Sequence, residues 1–468
     1  MVDHGFDPDF PAGVDRQVAH FRARPPSTGL RDLRHLLWSS IDNDTSRDLD
    51  QAEIAERVEG GIKVMVAIAE VDEAVGIDSP IDRHASEQTT TVYTGVKNFS
   101  MLPDALSTDL TSLLETGDRA AVVVEMLIAG DGSIHSPAIY RALIRNHAQL
   151  TYNGVGPWLE HTAAAAPKVA ASPDLQAQLQ LQDEAAQILC GARHKRGALD
   201  FDRVEAEATV TGGHVGELTA RKRNRASQLI EDFMIAANET TAQTLGHAGV
   251  PSIRRVVKTP DRWPRIVSLV ERYGQKLPAA PDAGALNAFL RKMHETDAVH
   301  YADISLAVIK LMGPGEYVLA RPGAEDQGHF ALAVLDYAHS TAPNRRFADL
   351  VTQRLIKSVL AKEDSPYADQ QLDAIARNCT LKEDAARKVE RKMGKRIAAV
   401  ALRPRIGESF NAVVTGNTPK GVFVRVLNPP AEGLLIEGQQ GADVGDQVRV
   451  KLVSTDPWRG YIDFARTQ

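Results

Sequence analysis

A chain of 468 residues, 43% hydrophobic and 25% charged, has the make-up of a globular protein large enough for two or more domains, which excludes a disordered or fibrous chain. The formal net charge of −7 weighs mildly against nucleic acid as a partner, because phosphate contacts leave a basic footprint. Two cysteines, Cys190 and Cys379, are too few for a disulfide framework or a zinc cluster, and neither a secretory leader nor a bilayer-spanning stretch is visible, so a cytoplasmic protein is expected.

Residues 1–35, with Pro8, Pro11, Pro25, Pro26 and Gly29, read as a mostly irregular extension with at most one short helix near Val14 to Phe21. Between Ser40 and Glu53 stand Asp42, Asp44, Asp48 and Asp50, four carboxylates within nine residues, separated by residues that turn easily. Residues two apart in extended chain point to one side. Asp48 and Asp50 therefore share a face, and Asp42 returns to them through a turn, a donor set suited to Mg²⁺. A solvated acidic loop is the bland alternative. A calcium loop is another: the acids and Ser46 fall at its ligand spacing from Asp42 to Glu53, but Arg47 occupies the place where that loop needs glycine.

Ala52 to Val58 and Ile62 to Val71 predict a hairpin about Glu59 to Gly61, Asp78 to Asp82 marks a turn, and Ala120 to Ile128 pairs with Ser133 to Ile144. Helical spacing follows over Leu175 to Leu189 and Arg225 to Leu245, then in a proline-rich region over Arg265 to Tyr273 and Ala285 to His294. A helix through Phe347 to Val359 enters directly from Pro343 to Arg346. Backbone amides at such a start attract anions, and Arg345 and Arg346 add charge suited to a phosphate. A further helix spans Leu381 to Ala401. Between Lys382 and Arg405 nine Lys/Arg face three acids, and Arg221, Lys222, Arg223 and Arg225 form a second basic cluster; these are solvated faces or an RNA path. From Gly407 five short strands in about sixty residues fit a small closed barrel of the OB type.

Together these features resemble the catalytic RNB domain of the RNase II and RNase R exoribonucleases, from about Leu30 to Ala361. The matching stretches are Leu30 to Leu33, Ile41-Asp42 with Asp48 to Asp50, Ser79 to Asp82, Val92-Tyr93, Met101 to Pro103, Arg196 to Phe201, Glu231 to Asn238 and Thr341 to Asp349. The segment from Gly407 resembles an RNA-binding OB fold of the ribosomal S-one type through Gly421 to Val424, Glu432 to Leu434 and Gly445-Asp446. The resemblance implies an α+β fold: an RNB catalytic domain at 36–365, a mixed sheet with surrounding helices, then a basic helical connector at 366–404 and a five-stranded OB barrel at 405–468. It implies processive hydrolysis of single-stranded RNA from the 3′ end to 5′-mononucleotides by water activated on Mg²⁺, or on Mn²⁺ in its place. A monomer acting away from membranes is expected. Metal ligation falls to Asp42, Asp48 and Asp50, catalysis to Asp50 and Arg345, and substrate contact to Tyr93, Tyr152, Phe201, Glu231, Arg345 and Arg346. Tyr93 and Phe201 would clamp the terminal bases, since stacking tolerates any base, while Tyr152 and Glu231 lie near the last nucleotide. A ribose hydroxyl donating to Glu231 would favour RNA over DNA. Taken singly, such aromatics are more often core residues.

Two departures stand out. Gln51 occupies the place of the family's fourth aspartate and brings no charge, so one metal should bind more weakly unless Asp44 or Glu53 compensates, and a catalytically weak or silent RNA-binding relative is the alternative reading. The thirty-five residues before the catalytic domain are too few for the family's two cold-shock barrels, which implies a more open entrance tracked mainly by the barrel and the basic helix. His339 and Thr341 are expected only to shape their turn, and His300 and His329 to be structural.

Overall fold

The computed structural model describes residues 1–467 apart from 25–27, 202–204, 212–213, 222, 325–327 and 420. Pro25, Pro26 and Lys222, and the side chains of Arg221 and His300, therefore lie outside the described residues. In chain order come α1 (Val14–Arg22), β1 (Arg31–Asp32), β2 (Trp38–Asp42), β3 (Gln51–Val58), β4 (Gly61–Ala69), α2 (Pro80–Gln88), a small hairpin of β5 (Val92–Tyr93) and β6 (Asn98–Phe99), then β7 (Asp118–Ile128) and β8 (Ile134–Thr151). Their main sheet has the order β1-β8-β2-β3-β4-β7. The 18-residue β8 pairs antiparallel with β7 and, at its far end, parallel with β2, so the sheet wraps onto itself. This register sets Asp42 opposite Thr151.

The β3–β4 hairpin depends on Gly61, where a Cβ would lie 2.1 Å from the carbonyl oxygen of Ile128. Along β4, Met65, Ala67 and Ala69 join one core with Phe347, Leu350 and Val351, while Val64, Val66 and Ile68 join the other with Leu229 and Phe233. Burial on both faces explains why this strand reads as an unbroken apolar run.

The second half contributes α3 (Tyr152–Leu159), α4 (Pro167–Ala170), α5 (Pro173–Lys195), β9 (Glu205–Thr211), β10 (His214–Arg221), α6 (Arg225–His247), β11 (Ser252–Val256), α7 (Trp263–Arg272), α8 (Ala283–Thr296), α9 (Ala298–Met312) and β12 (Glu316–Ala320). After α10 (Phe347–Ala361) and α11 (Asp369–Leu402), strands β13 (Ser409–Thr418), β14 (Gly421–Leu427), β15 (Pro430–Glu437), β16 (Gln447–Asp456) and β17 (Tyr461–Arg466) close the expected barrel in the order β13-β14-β15-β17-β16.

Several expectations are corrected. The turn at Asp78 to Asp82 is the start of α2: Ser79 Oγ accepts from the amide of Asp82 at 3.2 Å and Pro80 takes the first helical position. The extension is more ordered than expected, because Val14 enters the main core and β1 pairs with β8. The hairpin β9–β10, the pair β11–β12 and α9 were not foreseen. The connector is one 34-residue helix shared between two cores, with Leu372, Ala376 and Cys379 in the main core and Ala398, Ala399 and Leu402 in the barrel core beside Leu218 of β10. Among the described residues no helix is long and apolar enough to cross a membrane.

Candidate active site

The aspartate loop is a fixed excursion between β2 and β3. Leu49 is fully buried as its anchor; its amide donates to Ser112 Oγ at 2.9 Å, and that hydroxyl donates to the Arg47 carbonyl at 2.7 Å. Asp42 Oδ1 accepts from the Asn43 amide at 2.7 Å and Ser46 Oγ at 3.0 Å. Asp48 Oδ2 accepts from the Tyr93 hydroxyl at 2.9 Å. Asp50, only 2% exposed, accepts from the Asn344 amide at 3.0 Å and from Arg345 Nε at 3.3 Å. The loop runs into a strand instead of the second helix a calcium-binding EF-hand requires.

The arginine turn meets this loop from the other side. Asn238 Oδ1 accepts from both the amide and the hydroxyl of Ser340 at 2.8 Å, and Tyr317 OH contacts His339 Nδ1 at 2.8 Å. Thr111 Oγ1 donates to Asn344 Oδ1 at 2.7 Å. The strand leading to Tyr93 clips onto the same turn: the Thr91 amide donates to the Arg345 carbonyl at 3.0 Å, and the Phe347 amide to the Thr89 carbonyl at 2.8 Å. His339 and Thr341 thus shape the turn, and His329 accepts from the Leu332 amide in a local cap.

The two arginines part company here. Arg346 sends Nε and Nη2 to the fully buried Asp349 at 2.7 and 2.6 Å, so it holds the turn. Arg345 keeps 45% of its side chain exposed beside Asp50. Burial pushes Asp50 up to about 7, with Arg345 opposing and Asp48 adding to the rise; burial also raises Asp42. Tyr93 is pushed up by burial too, which keeps its hydroxyl a donor to Asp48.

The remaining expected residues form a second group. Tyr152 directly follows Thr151 and packs on the core beneath α6, and its carbonyl accepts from Asn224 Nδ2 at 2.9 Å. Arg223, next to Asn224, pairs with Asp200 Oδ1 at 2.9 Å and with Glu231 Oε2 at 2.7 Å. Phe201 leans on the cluster of Leu199 and Trp263. Asp42, Asp48, Asp50, Arg345 and Tyr93 are therefore one linked group, while Tyr152 and Glu231 are gathered around Asn224 and Arg223, with Phe201 next to Asp200. Sequence reasoning missed Asp349, Asn238 and Arg223 as organisers. For Asp349 the signal was present, an acid three residues after Arg346 in the first turn of a helix.

Gln51 Nε2 turns to the Ile41 carbonyl at 3.4 Å, and exposed Asp44 is held by Asn153 Nδ2. Glu53 is fully buried with both oxygens unpartnered among the described residues, and burial, aided by the charge of Asp42, raises it well above the usual carboxylate range. Among the described residues no three acidic, histidine or cysteine side chains already converge on one ion. The donor set still fits a hard cation: it is all oxygen, and its carboxylates repel one another.

Residues 30–362 match the RNB domain. The chain belongs to the RNB family. Residues 408–467 match the RNase II-type exonuclease C-terminal S1 domain. Among RNB-family relatives, Ribonuclease R of Thermotoga maritima is 31% identical over 97% of this chain and 68% of its own length, and that of Escherichia coli 29% over 91% and 54%. The solved RNase R of Mycoplasma genitalium, in complex with ribose-methylated single-stranded RNA, superposes with a TM-score of 0.87 at 22% identity, over 100% of this chain and 77% of that one. Yeast Ssd1, a pseudonuclease, also shares the fold, with a TM-score of 0.70 at 17% identity over 91% of this chain and 53% of its own. A shared architecture alone does not decide activity; the site does.

Proposed function

We propose that this RNB-family exoribonuclease hydrolyses single-stranded RNA processively from the 3′ end to 5′-mononucleotides, as a cytoplasmic monomer, with Mg²⁺ or Mn²⁺ held by Asp42, Asp48 and Asp50. The observation that carries this reading is Asp50, which ends the aspartate loop and whose buried carboxylate accepts from both the Asn344 amide and Arg345 of the arginine turn. The cation, when bound, supplies a nucleophilic water near neutral pH and offsets phosphate charge. Arg345, exposed at the rim, stabilises the charge that develops on the scissile phosphate, and the Asn344 amide fixes Asp50 so that it points at the same place. Tyr93 presents a half-exposed ring whose hydroxyl is tethered to Asp48, placing a stacking surface against the reacting end. Phe201 supports a neighbouring base. Tyr152 and Glu231 border the last nucleotide, Glu231 with one carboxylate oxygen committed to Arg223 and the other left for a ribose hydroxyl. Arg346 contributes by holding the turn.

A 5′-labelled oligoribonucleotide incubated with the protein and Mg²⁺ should give a descending ladder ending in a short core, and chelation should stop it. Intact RNA that is nonetheless retained on a filter would replace this reading with that of a silent RNA-binding relative, the outcome that Gln51 makes worth testing.

A further inference from the structure

The short hairpin that carries Tyr93 cannot position itself. It has two residue pairs, Val92↔Phe99 and Tyr93↔Asn98, and an isolated hairpin of that size has no stability of its own in water. Its place must come from what it leans on. One support is Glu390 of α11, whose Oε1 accepts from the Tyr93 amide at 3.0 Å. Another is Ile397 of α11, so close to the hairpin turn that a Cβ at Gly95 would lie 2.9 Å from its Cδ1.

The third support comes from the first residues of the chain. Phe6 is 2% exposed and forms a small apolar cluster with Val92, Ala386 and Val389, against which Phe99 and Met393 pack. That cluster ties both strands of the hairpin to α11 and includes no residue of the two main cores. Lys382 fixes Phe6 from above: its Nζ donates to the Gly5 carbonyl and lies 5.1 Å from the centre of the Phe6 ring. From there the segment runs back along α2. The Asp7 amide donates to Gln88 Oε1 at 3.0 Å, Phe10 packs at a tilt against His84 with ring centres 4.4 Å apart, and Gln17 Nε2 donates to Ser79 Oγ at 2.9 Å.

We propose that Phe6 is a positioning residue for the terminal-base clamp: residues 1–10 brace the β5–β6 hairpin against α11 so that Tyr93 stays over the aspartate loop. The proposal rests on the reading of Tyr93 as that clamp. Phe6 touches neither RNA nor the reacting atoms and acts only through the hairpin. Phe6→Ala should loosen the grip on the last bases, where the substrate end is short and has few other contacts. Small misplacements at a reacting end cost rate steeply.

The test compares Phe6→Ala, Phe6→Leu, Tyr93→Ala and the Phe6→Ala/Tyr93→Ala double variant in the full chain, on a long and on a very short oligoribonucleotide. Phe6→Ala should lengthen the final product and raise KM on the short RNA by about tenfold, leaving kcat on the long RNA within about twofold and Tm nearly unchanged. Phe6→Leu should restore the wild-type product. The double variant should match Tyr93→Ala, because two residues acting through one contact do not add. Unchanged product length in Phe6→Ala, additive losses in the double variant, or an equal loss on both RNAs with a fallen Tm would each overturn the proposal. If Tyr93→Ala itself leaves product length unchanged, the clamp reading fails, and the positioning role fails with it.

Discussion

The catalytic cleft and the face formed by α11 with the barrel are both rich in charge, yet they use it in opposite ways. In and behind the cleft, key carboxylates are buried on fixed partners: Asp50 on the arginine turn and Asp349 on Arg346. On α11 and the turn after it most basic side chains are solvated and several form surface pairs, such as Arg387 with Glu383 on the helix and Arg405 with Glu408 beyond it. A desolvated charge with one geometry performs one task, so its loss should be sharp and specific. Solvated charges are individually worth little and should act by number.

The largest effect should follow from Asp50→Asn, which keeps the shape but removes the charge on which metal ligation depends. Cleavage should fall by on the order of 10³-fold or more while filter retention of RNA persists. Cleavage at the wild-type rate would break the comparison at its centre. The neighbouring arginines sharpen it. Arg345→Ala should lower kcat by roughly 10²-fold to 10³-fold with little change in the urea midpoint. Arg346→Ala should instead show first as lost stability, about 2–4 kcal/mol by urea unfolding, because it leaves Asp349 as an unpaired buried carboxylate. A reversed pattern would exchange their roles.

Asp50 also makes the cleft pH-sensitive when no cation is present. Its carboxyl is raised to about 7 in the folded chain and sits near 3.9 when unfolded, so the folded state binds the extra proton between those values. Stability with chelator should therefore be greatest in acid on this account and fall as pH rises towards 7, by an order of 4 kcal/mol in total, and Asp50→Asn should flatten that slope. Urea midpoints measured across this range decide it. A wild-type slope of the opposite sign, retained in Asp50→Asn, would show that Asp50 is not the group responsible.

The two regions were also unequally legible in the sequence. Asp48, Asp50 and Arg345 could be found because acids in a turning loop and a helix entered through Pro-Asn-Arg-Arg are local patterns. The barrel was legible because its strands are short and separated by glycine. What escaped depends on distant partners. In β11, Arg254 and Arg255 are buried, which a strand pattern does not suggest; Arg254 donates to the Ala242 carbonyl at 2.7 Å and Arg255 pairs with Glu383 of α11 at 2.7 Å. Ser79-Pro80 is a turn signal taken locally, although serine before proline is also how a helix begins. Glu205 to Thr211 alternates as a strand does, but only the barrel and α11 behind it explain why it needs to. The full length of α11 is hard to see in the sequence because its first turns bury small residues, Ala376 and Cys379, with weak apolar signal.

The smallest effect should come from the exposed face of α11. Lys382 is turned to Gly5, Arg396 lies 5.6 Å from the ring centre of Trp458, and Lys395 sits 3.9 Å from Glu432. Lys388, Arg391 and Lys392 are exposed and form no ion pair among the described residues, so they are the charges left for RNA phosphates. Deleting the barrel from Gly407 onward would be a poor test of RNA tracking, since it would uncover Ala398, Ala399, Leu402 and Leu218. Changing the three basic residues to glutamine leaves every core intact. Each phosphate contact on a single strand contributes about 0.7 to the slope of log K against log salt, so the slope for a long RNA should flatten by roughly 2. Affinity for that RNA should drop several-fold near 0.1 M salt, while a very short RNA that reaches only the cleft should bind and be cleaved as before. An unchanged salt slope would remove α11 from the RNA path, and an equal loss on the short RNA would mean that its charge acts on the cleft.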